Sequence, residues 1–133
     1  MTEEQIRAMA EQARVSRIMT EISAVDKKLQ KCRAVKGTLS GCQTSLDGEL
    51  EEWKSVRTNL ESDPRYVQIV TTDVFEGEMA DKLAAYMNTV DTDINTGISD
   101  TAAMAGELQA QLGALEAYEA RLMAQRASLV SQL

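Results

Sequence analysis

The segment TTDVFEGEMAD, residues 71–81, lies just past the middle of the chain, between two long stretches whose apolar residues repeat at helical spacing. Asp73 can accept hydrogen bonds from the exposed amides of a first helical turn. Glu76, three residues later, can accept one from the backbone amide of Asp73. This capping-box pattern predicts the start of a helix. The segment also carries the only Phe of the protein, Phe75, two residues before Gly77. We therefore expect a chain reversal here, followed by a second long helix.

The composition is typical of an all-α protein. Aromatic residues make up only 4% of the 133 residues, which argues against a thick globular core. Ala, Leu, Met, Glu, Gln, Lys and Arg are abundant, and they lose little side-chain freedom in a helix. The single proline, Pro64, stands between the two long segments. We expect one domain that spans residues 1–133.

The first segment predicts a helix over about residues 3–61, with a capping-box pattern formed by Thr2 and Gln5 at its start. Two interleaved seven-residue columns indicate a helix packed along its length against another. The columns are Ile18, Val25, Cys32, Leu39, Leu46, Trp53 and Leu60, and Val15, Ile22, Leu29, Lys36, Gln43, Leu50 and Arg57. The glycines at 37, 41 and 48 would favour a break. Because the columns keep their register through these glycines, we expect the helix to continue.

Ser62, Asp63 and Pro64 predict the end of this helix, because proline disfavours the helical conformation in the residue before it. We expect a connection over about residues 62–73, with a short helical turn or an extended piece at 65–70. A second helix is expected over about 74–132. Its columns are Ala80, Met87, Ile94, Thr101, Leu108, Leu115, Leu122 and Leu129, and Leu83, Val90, Gly97, Met104, Gln111, Tyr118 and Gln125.

Two helices of nearly equal length joined by a short connection predict a long antiparallel, coiled-coil-like hairpin. Pairing residues that are equidistant from the connection places Trp53 near Leu83 and Leu39 near Gly97. The glycines at 37 and 41 would then face Gly97 and allow the two backbones to approach closely.

Some apolar residues lie beside the columns of the two helices and do not belong to them. They are Ile98, Ala105 and Leu112 on the second helix, and Val35, Cys42 and Val56 on the first. A two-helix hairpin has a thin core and cannot cover stripes this wide, so we expect a further helical surface to cover them. The alternatives are a protein partner, with Ile98 and Leu112 among its contacts, and a second copy of the chain that completes a four-helix bundle.

The net charge of −7 disfavours nucleic acid and anionic membrane surfaces, because both are bound largely through Lys and Arg. Charged residues such as Glu3, Glu4 and Arg7 interrupt the N-terminal positions, so no apolar core of a secretory signal peptide is found. No apolar run is long enough to span a bilayer. These features predict a cytoplasmic protein without membrane insertion.

Catalysis finds little support in the residue types. The chain has no histidine, so it lacks the usual general base near neutral pH and the Ser-His and Cys-His nucleophile pairs. Carboxylates at the spacing of Glu49, Glu51 and Glu52 are more often a solvated helix face than a metal site. We predict no enzymatic activity, metal or cofactor. On one helix Cys32 and Cys42 are too far apart for a disulfide, so we expect two reduced thiols, with Cys32 in the core.

Three residues are candidates for a turn motif or a partner contact. A large aromatic residue in a heptad column is most often core, which is the favoured interpretation of Trp53, with a binding hot spot as the alternative. Phe75 and Gly77 lie at the end of the predicted hairpin. A bulky aromatic beside a glycine at that place indicates either a hydrophobic cap or a docking point.

The run VFEGEMA, residues 74–80, is followed by a heptad helix and resembles the turn region of the WXG family, small proteins handled by bacterial type VII secretion systems. Phe75 stands in the place of the usual Trp, and Gly77 in that of the Gly. The length is more like that of the helical partner proteins of LXG-type toxins. The family's acidic residue four positions after an aromatic one, near the end of helix two, is not found: Leu122 follows Tyr118 at that spacing.

The resemblance implies a non-enzymatic partner protein that binds the helical N-terminal leader domain of an LXG-type toxin and promotes its stability or its targeting for export. It is compatible with export of this chain together with the toxin, with a second small helical protein in the complex, and with a homodimer. The alternative is a self-assembling coiled-coil scaffold or adaptor unrelated to secretion.

Overall fold

The structure, a computed structural model, describes residues 2–71 and 77–133, with the side chains of 68–71 and 80 outside the description. The described ranges contain α1 (Glu3–Ser62), α2 (Pro64–Thr71) and α3 (Glu78–Ser131), and no strand. The two long helices pack together, so the predicted all-α helical hairpin is confirmed.

Helix α1 begins and continues as the sequence predicts. The amide of Thr2 donates to Oε1 of Gln5 at 2.9 Å, and the amide of Gln5 donates to Oγ1 of Thr2 at 3.2 Å, which completes the capping box. The helix then runs through the glycines at 37, 41 and 48 without a break. A Cβ at any of these three positions would meet no atom within 4 Å, so no neighbour requires glycine there.

Helix α2 occupies most of the predicted connection. Oδ1 of Asp63 accepts a hydrogen bond from the amide of Arg65 at 2.9 Å, and Pro64 takes the first helical position, where its missing amide hydrogen is not needed. Nη2 of Arg65 also lies 3.0 Å from Oδ2 of Asp63. The Arg65 side chain and then its backbone amide hold the pKa of Asp63 below its ordinary value.

Helix α3 begins at Glu78, later than the start predicted near residue 74. Gly77 has a φ of 93°, a left-handed conformation that a right-handed helix cannot contain. Its carbonyl oxygen accepts a hydrogen bond from the amide of Asp81 at 3.2 Å, so Gly77 lies at the cap of α3. The predicted caps Asp73 and Glu76 lie outside the described residues.

The chain forms two compact units: unit 1 is Met1–Ser40 with Ala110–Leu133, and unit 2 is Gly41–Gln109. In unit 1, buried aliphatic side chains join the first part of α1 to the last part of α3. They are Ile18, Ile22, Val25, Leu29, Leu122 and Leu129. Cys32 is buried as predicted, with Sγ 3.5 Å from the carbonyl oxygen of Leu115. Both helices thus contribute to one apolar seam.

Ion pairs accompany this seam in unit 1. A carboxylate oxygen of Glu119 lies 3.2 Å from Nζ of Lys36 and 3.9 Å from Nε of Arg33, and Nε of Arg126 lies 2.6 Å from Oδ1 of Asp26. Lys36 stands in a predicted apolar column. Its charge is matched by a carboxylate from the opposite helix, so the heptad pattern tolerates it.

In unit 2 the register between α1 and α3 differs from the predicted one. The indole of Trp53 lies on Gly97, since a Cβ at Gly97 would be 3.0 Å from Cε2 and Cζ2 of Trp53. The predicted neighbour, Leu83, is about two heptads away along α3. The expected approach of the glycines at 37 and 41 to Gly97 is also wrong, because Trp53 occupies the space over Gly97.

The reason for the shifted register is that α2 extends the first arm. Burial, followed by the charges of Asp91 and Glu61, raises the pKa of Tyr66 above its ordinary value. Tyr66 belongs to α2 and is half-buried, and Trp53 and Gly97 are equidistant from a position beyond the end of α2, so the eight residues of α2 count with the first arm. Trp53 therefore meets a residue further along α3 than equal spacing from 62–73 predicts.

Candidate protein interface

Trp53 is packed on one side and open on the other. Its indole rests on Gly97, yet 37% of the residue is exposed. The open side lines a shallow pocket together with Glu49, Glu52 and Val56 of the same helix. The predicted core position thus holds for one side of the indole, and the alternative of a binding position stays a prediction.

Two further exposed apolar side chains belong to the two helices that meet at Trp53 and Gly97. Val56 is one turn further along α1 and is 50% exposed, and Met104 is two turns beyond Gly97 on α3 and is 55% exposed. Residues seven apart share one side of a helix, so Met104 lies on the side of α3 that Gly97 presents to Trp53. We call the surface formed by Trp53, Val56, Gly97 and Met104 the Trp53 face. It belongs entirely to unit 2.

The rim of the Trp53 face is acidic. Glu49 and Glu52 line the pocket beside the indole. Asp93 and Asp100 lie four residues before and three after Gly97, which places them on its side of α3. All four residues are exposed, and none of these carboxylates has an ion-pair partner among the described residues.

Two cations of α1, Lys54 and Arg57, flank Trp53 in the sequence. Nη1 of Arg57, one turn after Trp53, donates to Oδ1 of Asn95 at 3.4 Å. Nζ of Lys54 lies 3.7 Å from a carboxylate oxygen of Glu51. The four rim carboxylates outnumber these two cations, and among the described residues neither cation forms an ion pair with them.

The predicted contacts Ile98 and Leu112 do not form an uncovered stripe. Both are half-buried, and Ala105 between them is only 9% exposed. The column that we expected to be buried is instead exposed over Met104, Gln111, Tyr118 and Gln125. The physical reason is that the column of Ile98, Ala105 and Leu112 is apolar, whereas burying the other column would strip water from the amides of Gln111 and Gln125.

On α1 the predicted stripe is exposed. Val35 is 49% exposed, Val56 is 50% exposed, and Cys42 is an exposed free thiol. Cys32 is likewise free, as expected. Only Val56 of this stripe adjoins Trp53 directly, at helical spacing.

The turn motif divides between described and undescribed positions. Phe75 lies outside the described residues. Gly77 is exposed, and a Cβ there would meet no atom within 4 Å. Glycine is required at this position by the positive φ rather than by a close neighbour.

Sequence reasoning missed Gly97, Met104 and the acidic rim as parts of one surface. The signal was present, since Trp53 and Gly97 both stand in predicted columns, but combining them requires the register. Among the described residues, no group of three or more His, Cys, Asp or Glu side chains is arranged to hold a metal ion. No described helix is both long and apolar enough to cross a membrane.

These features define a helical hairpin with an exposed, acid-rimmed apolar surface. Comparison with protein-family models, with curated proteins and with solved structures gave no match.

Proposed function

We propose that this chain is a non-enzymatic helical partner protein that binds another helical protein through the Trp53 face. The observation that carries the proposal is the exposure of Trp53 beside Val56, with exposed Met104 on the side of α3 that Gly97 presents to Trp53. Grouped apolar side chains with a polar rim are the usual anatomy of a protein interface, and Trp is the residue type most enriched at binding hot spots.

A helix of the partner fits this surface best. An amphipathic helix presents apolar side chains at every third or fourth residue, and it can lay them along the groove between two packed helices. The indole is already held against Gly97, so little side-chain freedom remains to be lost when a partner covers it. Binding of this kind stabilises the hairpin by mass action.

The more specific part of the proposal concerns the partner. We propose the helical leader domain of an LXG-type toxin of a type VII secretion system, which this chain would stabilise or target for export. The support is the resemblance of VFEGEMA, residues 74–80, to the turn region of the WXG family, together with the hairpin fold.

Co-expression with such a leader domain tests the proposal. The double variant Val56→Ser and Met104→Ser removes apolar contact area from the Trp53 face and is expected to weaken binding by about 2–4 kcal/mol, or roughly 30- to 1,000-fold. The matched control is Met9→Ser and Met19→Ser, since these side chains are 57% and 52% exposed and belong to unit 1. Co-purification and calorimetry report the affinity. Equal binding by both double variants would refute the assignment of the Trp53 face.

A further inference from the structure

The formal charge of the chain is divided very unevenly. Unit 2, Gly41–Gln109, contains fourteen Asp and Glu against four Lys and Arg, which gives −10. The remaining residues contain seven Asp and Glu against ten Lys and Arg, which gives +3 and accounts for the total of −7. The Trp53 face thus lies in the unit that carries all of the excess negative charge.

Several cations of unit 1 are neutralised within unit 1. Arg14 pairs with Glu11, Lys36 and Arg33 approach Glu119, and Arg126 pairs with Asp26. The carboxylates of Glu49, Glu52, Asp93 and Asp100 at the Trp53 face have no such partners among the described residues. A ligand that covers the apolar centre would bring its own edges against these four carboxylates.

We infer that the occupant of the Trp53 face is an amphipathic helix of a second protein whose apolar stripe is bordered by Lys and Arg. This inference rests on the proposed function and specifies the chemistry of the partner. Opposite charges around the rim would accelerate association, fix the register of the docked helix and exclude acidic helices. A second copy of this chain fits poorly, because two copies would bring a charge of −7 each to the complex.

Three synthetic helices of about three heptads test the inference. They share one apolar stripe of Leu and Ile and differ only in the flanking residues, which are Lys, Gln or Glu. Trp53 is the only tryptophan, so its emission reports directly on the covered surface. The Lys-flanked helix should shift the emission to shorter wavelength and bind at least about tenfold more tightly than the Glu-flanked helix, with a difference that shrinks in salt.

Charge variants assign the effect to the rim. The double variant Glu49→Gln and Glu52→Gln should weaken binding of the Lys-flanked helix by about three- to tenfold. The control Glu21→Gln and Glu116→Gln removes two exposed carboxylates of unit 1 that have no ion pair within the described part of the chain, and it should leave binding unchanged. Circular dichroism verifies that both double variants keep their helix content.

Each other outcome overturns the inference. Equal affinity for the three helices would leave an apolar docking surface without charge selection. The Lys-flanked helix could fail to bind while Val56→Ser and Met104→Ser still weaken leader-domain binding. That result would refute the inference of a basic partner and leave the proposed function standing. If Trp53 emission depends on protein concentration and does not change with any of the three helices, the occupant is a second copy of the chain.

Discussion

At the scale of single residues, the contact between Trp53 and Gly97 decides how the two arms meet in unit 2. A glycine inside a helix costs up to about 1 kcal/mol relative to alanine, and this cost is offset where a neighbour occupies the space that a Cβ would fill. Gly97 has such a neighbour, whereas a Cβ at Gly106 of the same helix would meet nothing within 4 Å. The two glycines therefore offer a matched comparison.

Gly106→Ala should stabilise the protein by about 0.5–1 kcal/mol through helix propensity. Gly97→Ala should lack this gain and be about 1–3 kcal/mol less stable than Gly106→Ala, because its Cβ would lie 3.0 Å from the indole and force it outward. Urea unfolding gives the stabilities, and a shift of Trp53 emission to longer wavelength reports the displaced ring. If the two variants have the same stability and emission, the packing of Trp53 on Gly97 is refuted.

At the scale of elements, the sequence was sufficient for the long helices and insufficient for how they meet. Seven-residue columns predict α1 and α3 because apolar residues recur on one side of each helix. The columns do not reveal that α2 extends the first arm, since its eight residues are too few to show a period. The predicted pairing of Trp53 with Leu83 is wrong for this reason. Without the register, the sequence shows the Trp53 face only as separate residues, and its columns place Met104 in the seam.

Helix α2 should depend on pH through Asp63. Its pKa is lowered in the folded chain, so its cap and its contact with Arg65 contribute fully above the ordinary aspartate pKa of about 3.9 and are lost as the pH falls through the folded pKa. The amide resonance of Arg65, followed by NMR from about pH 5 downward, should move with this titration and α2 should fray.

Asp63→Asn is the control for this titration. Asparagine caps a helix but does not titrate, so the acid step at Arg65 should disappear while α2 persists. A step of unchanged size in Asp63→Asn would show that another group controls the end of α1 and the start of α2.

At the scale of the whole molecule, the two units differ in how much side chain they bury. The core of unit 1 draws on both helices, with Ile18, Ile22, Val25 and Leu29 from α1. In unit 2 the buried described residues, Ile94, Thr101 and Ala105, are all on α3, and no side chain of α1 over residues 41–62 is buried. A segment with few buried apolar contacts opens at a lower free energy.

Hydrogen exchange should therefore be faster at the amides of residues 41–62 than at those of 18–32, although both belong to α1. A helix that covers the Trp53 face should slow exchange over 41–62 and around Gly97 and leave 18–32 nearly unchanged, because ligand binding stabilises the unit that holds the ligand. Mass spectrometry of the exchanged chain, with and without the Lys-flanked helix, measures both effects. Equal exchange over the two segments, or protection confined to 18–32, would contradict the assignment of recognition to unit 2. Protection confined to 41–62 and the surroundings of Gly97 would mean that the partner stabilises the unit that buries fewer side chains.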